Sequence, residues 1–150
     1  MQGQSSETAR LRLRHFRSLA WFRYRVRCFL RFSEKMARSC GVTPQQHQLL
    51  LGVAGYTGRG WATISELAEF LQARHNAVVG LVQRAEARGL VRKAPGRTDR
   101  RFVKVLLTTR GLAILNRISR ANLPELRKVQ AELLHDSAGS PRHIRAAQGA

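Results

Sequence analysis

The sequence predicts a mainly α-helical protein with one small β-hairpin, an α+β fold class. Apolar residues recur at three- and four-residue steps over 10–39 and again over 109–136, as in amphipathic helices. Two shorter amphipathic segments, 64–71 and 74–88, lie between these regions. A Pro-Gly turn at 95–96 then separates two segments rich in Val and Leu, which is typical of paired strands.

Composition and charge restrict the classes of function. The 150 residues include 27 Lys and Arg against 9 Asp and Glu, a formal net charge of +18, and 43% are hydrophobic. That apolar content suffices for one packed domain with appended arms. Because so large a positive charge opposes compaction, we expect a polyanionic partner, of which nucleic acid is the commonest. With no apolar run near the ~18 residues of a membrane span, no signal-peptide core and only two cysteines, we expect no membrane association and a cytoplasmic location.

The N-terminal part is predicted to be a disordered arm followed by a long helix. Residues 1–9 are small and polar, and 10–39 form the Arg-rich helix. Its apolar residues are too many for one narrow stripe, so we expect burial on two sides, against its own domain and against a second subunit. The alternative is a peripheral helix whose arginine stems cover the apolar surface.

Residues 40–108 are predicted to form a separate unit with two short helices. Thr63 and Glu66 fit a capping box at the start of the segment 64–71. A three-residue connection leads to the helix 74–88, in which four apolar residues are expected to face inward. These are Val78, Leu81, Val82 and Ala85. Two short helices joined by a tight turn form a helix-turn-helix unit.

The hairpin after this unit is predicted to be a wing with a basic tip, as in winged helix-turn-helix proteins. Its connection, 94–101, contains three arginines and one aspartate. Thr108 or Thr109 is expected to cap the last helical region, 109–136, with a kink or restart at Pro124 and Asn122 as a candidate cap. Residues 137–150 lose helical periodicity and are predicted to be a flexible tail.

Cationic residues are concentrated in the segment 71–104, which holds nine basic residues and two acidic ones. The second helix of a helix-turn-helix unit, here 74–88, enters the major groove of duplex DNA, while wing arginines reach phosphates or the minor groove. The candidate recognition-helix residues are Arg74, His75, Asn76, Ala77, Val79, Gly80 and Arg84, and the candidate wing residues are Arg97, Asp99, Arg100 and Arg101. The alternative interpretation is that these are ordinary solvated positions.

Several short motifs carry a resemblance to a known family. They are Thr43-Pro44-Gln45-Gln46, Ile64-Ser65-Glu66-Leu67-Ala68, the run 77–91, and Asp99-Arg100-Arg101 followed by Val105, Leu107-Thr108 and Gly111. Over roughly 14–134 the chain resembles the MarR (multiple antibiotic resistance regulator) family of dimeric winged helix-turn-helix transcription factors. The resemblance implies that Arg101 enters the minor groove, held by Asp99, and that 10–39 and 109–136 are dimerisation helices. The implied function is that of a repressor of a pseudo-palindromic operator, with half-sites ~10 bp apart.

The resemblance also implies a small lipophilic or phenolic effector, bound between the dimer helices and the winged helix. Candidate lining residues are Phe22, Phe29, His47 and Trp61, although ordinary packing explains all four equally well. An effector-free constitutive repressor is an alternative within the same class.

Other functions find little support in the sequence. Paired carboxylates, a nucleophile elbow and a phosphate-binding loop are missing, so neither an enzyme nor a cofactor is expected. The histidines lack zinc-like spacing, so no metal site is expected. Cys28 and Cys40 fit a small buried apolar residue and an ordinary loop thiol better than oxidant sensors. The competing class is a non-specific nucleoid- or RNA-associated basic winged-helix protein.

Overall fold

The computed structural model describes residues 3–96 and 103–136 and confirms the mainly helical α+β class. Five α-helices, a π-helical turn and three strands follow in chain order. They are α1 (Gly3–Ser39), α2 (Pro44–Leu51), the π-helical turn (Gly52–Tyr56), β1 (Trp61–Thr63), α3 (Ile64–Leu71), α4 (His75–Ala87), β2 (Val91–Pro95), β3 (Val103–Leu107) and α5 (Thr109–Asp136). None of these helices is both long enough and apolar enough to cross a membrane.

The chain divides into two compact units. The terminal unit contains α1 up to residue 31 together with α5 from residue 123, and the central unit spans 32–122. Within the terminal unit, the guanidinium group of Arg25 forms an ion pair with the carboxylate of Glu132, so α1 and α5 contact each other there. Within the central unit, α2, α3, α4 and the three strands enclose one apolar core.

Helix α1 begins earlier than the sequence predicted. It starts at Gly3 rather than at residue 10, so the expected disorder of 1–9 is wrong for residues 3–9. The segment contains no proline, and once a long helix has formed, each added residue costs little because nucleation is already complete. The predicted tail at 137–150 lies outside the described residues.

Helix α5 is continuous through Pro124, so the predicted restart there is wrong. Proline in a helix interior costs ~3 kcal/mol, but apolar residues before and after it, Ile118 and Val129, are buried and hold the helix. Asn122 is not a cap: its side-chain amide is buried and donates a hydrogen bond to the Ser33 hydroxyl at 2.9 Å. The start of the helix follows the prediction, since the Thr108 hydroxyl accepts from the Gly111 N–H at 2.9 Å.

The three strands form an antiparallel sheet in the order β1–β3–β2. One face is apolar and joins the core through Ala62, Val91 and Val105, which are almost fully buried. The sheet is tied to the start of α5 by the Thr108 hydroxyl, which donates to the Gly89 carbonyl at 2.6 Å. A Cβ atom at Gly111 would overlap the Leu90 carbonyl oxygen, so only glycine permits this close approach of α5 to the strand.

Candidate nucleic-acid interface

The helix-turn-helix begins with the predicted capping box. The Thr63 hydroxyl accepts from the Glu66 N–H at 3.3 Å, and the Glu66 carboxylate accepts from the Thr63 N–H at 2.8 Å. The hydrogen bond from the Thr63 backbone is the main cause of a pKa of Glu66 below its ordinary value, and the Arg59 guanidinium adds to it. The carboxylate is therefore charged at neutral pH and fixes the start of α3.

The turn between α3 and α4 depends on a residue with left-handed backbone geometry. Gln72 has φ 49° and ψ 44° and ends α3, and its side-chain amide donates to the Glu69 carbonyl at 2.7 Å. Arg74 then occupies the N-cap of α4 with extended backbone and makes no side-chain cap. A guanidinium has no acceptor and cannot cap the N–H groups of α4, so Arg74 is exposed at the start of the helix without a capping role.

Helix α4 has one buried side and one exposed side. The buried side contains Val78, Val82, Ala85 and Leu81, of which Leu81 is slightly more exposed than the others. The helical spacing predicted this side. The predicted contact residues lie on the other side. Arg74, His75, Asn76, Ala77 and Arg84 are exposed, whereas Val79 and Gly80 are half-buried. Within the described part of the chain, no carboxylate pairs with Arg74 or Arg84.

The Arg84 side chain lies beside Gly80. A Cβ atom at Gly80 would be 3.2 Å from Arg84 Nη1, and no other atom outside the local helix backbone would be within 4 Å. Side chains of a helix lean toward its N-terminus, so Arg84 lies along the helix beside the residue four positions earlier. The absence of a side chain at position 80 therefore leaves room for this guanidinium.

Two cations counted in the basic segment hold the C-terminal end of α4. Arg88 donates to the Gln46 side-chain oxygen at 3.1 Å and to the Gly41 carbonyl at 2.7 Å. The Glu86 carboxylate binds Lys93 Nζ at 2.9 Å, and this contact lowers the pKa of Glu86. Arg88 and Lys93 belong to the basic segment 71–104, whose charge was predicted to bind a partner. In the structure both side chains instead form contacts within the fold.

The tip of the wing lies outside the described residues. Arg97, Asp99, Arg100 and Arg101 all fall between 97 and 102, so their roles stay predictions. The strands that lead to the tip are described, and they carry Arg92, which is exposed, and Lys104, which is half-buried.

The four candidate effector residues have different surroundings. In the terminal unit, Phe22 is exposed and Phe29 is half-buried. In the central unit, His47 is 3% exposed, and burial lowers its pKa below the ordinary value. Its Nε2 atom is buried, with no hydrogen-bond partner among the described residues. Trp61 contacts two cations, Arg59 and Lys104, which the sequence interpretation did not associate with it.

Both cysteines are half-buried free thiols. Tyr24 forms a side-chain hydrogen bond with Cys28, and this bond is the main cause of a raised pKa of the Tyr24 hydroxyl. Across residues 3–96 and 103–136, no group of three or more His, Cys, Asp or Glu side chains is placed to hold a metal ion.

Comparisons with known proteins agree with the geometry of the central unit. The sequence profile of the MarR family matches residues 41–101. A search of curated proteins found no significant match. Among solved structures, a MarR family transcription regulator has a TM-score of 0.69 at 22% identity, with 91% of each chain covered. The transcriptional regulator Tm0710 from Thermotoga maritima has a TM-score of 0.58 at 25% identity, covering 74% of this chain and 76% of that one.

A further similar structure was determined with DNA. It is a mutant of MarR from E. coli complexed with operator DNA, with a TM-score of 0.59 at 21% identity, covering 78% of this chain and 79% of that one. The matched segment 41–101 contains α2, α3, α4 and β2, the elements that build the helix-turn-helix and begin the wing. The segment 41–101 is therefore similar in sequence to the MarR family, and the chain is similar in fold to solved MarR family regulators.

Proposed function

We propose that this protein is a dimeric transcriptional regulator that represses from a pseudo-palindromic DNA operator and acts in the cytoplasm. The observation that carries the proposal is the exposed side of α4, where Arg74 and Arg84 have no ion-pair partner among the described residues. Similar folds were determined with bound nucleic acid, one described with operator DNA and one, a MepR mutant of S. aureus, with an oligodeoxyribonucleotide.

The start of α4 supplies the contacts that choose the sequence. His75 and Asn76 occupy its first turn and are exposed beside Arg74. An asparagine side chain can form a bidentate pair with adenine and an arginine with guanine, each worth ~1–3 kcal/mol of discrimination. Because a recognition helix reaches the base edges near its N-terminus, these residues read the sequence together with Arg84, whereas the wing and the helix ends bind phosphates.

The terminal unit supplies the dimer interface. Its described side chains include an unusual number of large apolar groups that are exposed in a single chain. These are Leu13, Phe16, Leu19, Phe22, Tyr24, Leu30, Leu123, Leu126 and Leu134. Exposed apolar surface on this scale marks an interface in a water-soluble assembly. A second copy of the same unit is the simplest partner to bury these apolar side chains, since a dimer also has the two-fold symmetry of a palindromic operator.

A lipophilic effector that releases the DNA is the second part of the proposal. The buried His47 Nε2 has no hydrogen-bond partner among the described residues, so it can bond a hydroxyl group of a phenolic ligand. The measurement is isothermal calorimetry with salicylate as the probe, on the wild type and on His47→Leu. Binding that requires His47 and weakens operator affinity supports this part, and unchanged binding by His47→Leu removes His47 from it.

Selection from random duplexes tests the main proposal. The full chain is incubated with a random DNA pool at about 0.15 M salt, and the bound fraction is sequenced. We expect enrichment of a pseudo-palindrome with half-sites about 10 bp apart. A non-specific nucleoid- or RNA-associated protein, the competing class, would enrich no sequence, and that result would overturn the proposal.

Variants on the selected duplex then locate the interface. Arg74→Ala is expected to weaken binding at least tenfold, because it removes a charged contact at the start of α4. The matched control is Arg117→Ala, which removes the same charge from an exposed position on α5. Equal losses in the two variants would show that net charge alone governs binding.

A further inference from the structure

The outer face of the sheet carries a cluster of cations around an indole ring. Strand pairing places Trp61, Leu106 and Arg92 in one row across β1, β3 and β2, and places Lys104 two positions from Leu106. Directly paired residues, and residues two apart on one strand, share a face of a sheet. Trp61, Arg92 and Lys104 therefore lie on the same face. We call these three, with Arg59, the outer-face cluster.

The opposite face of the same sheet is the one that joins the core. Ala62 and Val105, paired in the next row, have no exposed surface. Lys93 belongs to that row, and its contact with Glu86 of α4 confirms that α4 lies on this inner side. The outer-face cluster is thus turned away from α4, so it meets a different part of any partner that α4 binds.

Two of the cations are held in place by the indole. The Arg59 guanidinium carbon lies 3.9 Å from the centroid of the Trp61 ring, and Lys104 Nζ lies 4.3 Å from it. Arg59 also donates to the Glu66 carboxylate at 2.5 Å, and that carboxylate is fixed by the capping box of α3. Since these side chains are already ordered, binding an anion costs them less rotamer entropy.

The charge of the cluster is unbalanced. Glu66 is the carboxylate seen at the cluster, and it pairs with Arg59. Among the described residues, Arg92 is exposed with no hydrogen-bond or ion-pair partner, and Lys104 lies over the indole and forms no ion pair. Two positive charges, from Arg92 and Lys104, therefore remain available to an anionic partner in each subunit.

The chemistry of the cluster favours phosphate groups. Arg59 and Lys104 both lie over the Trp61 ring, so an unpaired base would have to compete with these cations for the indole. The strands that bear Arg92 and Lys104 run directly into the segment 97–102, whose sequence contains three further arginines. A spread of cations along one hairpin suits the regular phosphates of a duplex backbone.

We propose that the outer-face cluster binds the DNA backbone beyond the base pairs read by α4, so that the contacted duplex is longer than the selected sequence. This inference rests on the proposed function, because it assumes that α4 engages an operator. In a dimer, Arg92 and Lys104 would add up to four phosphate contacts. The logarithm of the binding constant falls with the logarithm of the salt concentration, with a slope of ~0.9 per phosphate contacted. Four contacts would therefore steepen this slope by about 3 to 4.

The test compares two lengths of duplex. The selected site is placed in a minimal duplex and in one extended on both sides by random sequence, and binding is measured over a range of salt concentrations. Wild type is expected to bind the extended duplex about tenfold more tightly and with the steeper salt slope. The double variant Arg92→Gln, Lys104→Gln is expected to lose most of this gain while binding the minimal duplex within about twofold of wild type.

Controls separate this inference from the function on which it depends. Arg117→Gln, Arg120→Gln removes the same charge from exposed positions of α5 and is expected to keep the length effect. In the variant Trp21→Phe, Trp61 is the remaining tryptophan, and its fluorescence should respond to the extended duplex and not to the minimal one.

Three outcomes would overturn the inference while leaving the operator intact: no length effect in wild type, equal losses on both duplexes, or a length effect that the double variant retains. The first of these is the result expected if the outer face binds an acidic protein. Failure of wild type to select any site would instead overturn the proposed function.

Discussion

Replacing Gly80 by alanine is expected to stabilise the protein and weaken its specific DNA binding at the same time. Glycine in a helix interior is ~0.8–1.0 kcal/mol less favourable than alanine. The added Cβ would meet only Arg84 Nη1, at 3.2 Å, and a flexible side chain can move by the few tenths of an ångström required. The net gain is therefore about 0.5–1 kcal/mol, a rise in Tm of about 1–4 °C for a chain of this size.

The same small displacement moves the Arg84 guanidinium off its path along α4. If Arg84 contacts DNA from this position, a loss of ~1 kcal/mol corresponds to about fivefold weaker binding to the selected site. Urea denaturation measures the stability, and fluorescence anisotropy measures the binding. The comparison variant is Arg84→Gln: in the double variant, Gly80→Ala should cause no further loss of affinity, because the group that it displaces is gone. Lower stability of Gly80→Ala, or unchanged DNA affinity, would refute the reasoning.

Three further predictions concern stability, each measured by urea denaturation. His47 has a lowered pKa in the folded state, so the unfolded chain binds the proton more readily. The free energy of unfolding should therefore fall as the pH drops below about 6.5, by at most ~1.4 kcal/mol per pH unit. His47→Gln should flatten this dependence, and an unchanged slope would assign it to other groups. Arg88→Ala removes two hydrogen bonds, one of them to Gln46, and should lower the free energy of unfolding by about 1–2 kcal/mol. An unchanged free energy of unfolding would contradict a structural role for Arg88. Gly111→Ala places a methyl group against the Leu90 carbonyl, and the backbone there cannot move without disturbing the packing of α5. The variant should lower the free energy of unfolding by at least ~1–3 kcal/mol. Wild-type stability in this variant would show that α5 does not pack there.

Local signals predicted the helix-turn-helix well. The capping box of Thr63 and Glu66 depends on residues three apart, and the buried side of α4 depends on helical spacing alone, so both can be read from a short stretch of sequence. The start of α5 at Thr108 is local in the same sense.

Features that depend on tertiary contacts were not predicted. Continuity of α5 through Pro124 reflects packing on both sides of the proline, which outweighs a strong local preference. The engagement of Arg88 with Gln46 joins residues 42 positions apart, and the contact of Lys104 with Trp61 requires the pairing of β1 with β3. A charge pattern gives the number of cations, but only the fold shows which of them are already paired.

The most direct test of the account is the affinity of the full chain for two half-sites at varied spacing. Fluorescence anisotropy would compare the selected operator with versions carrying 5 bp inserted at its centre, which turns one half-site by about half a helical turn of B-form DNA. A two-fold dimer with fixed α4 helices should bind the selected spacing at two chains per duplex and lose at least tenfold with the insertion. Equal affinity for both spacings would contradict the central claim that two copies of α4 read one duplex together.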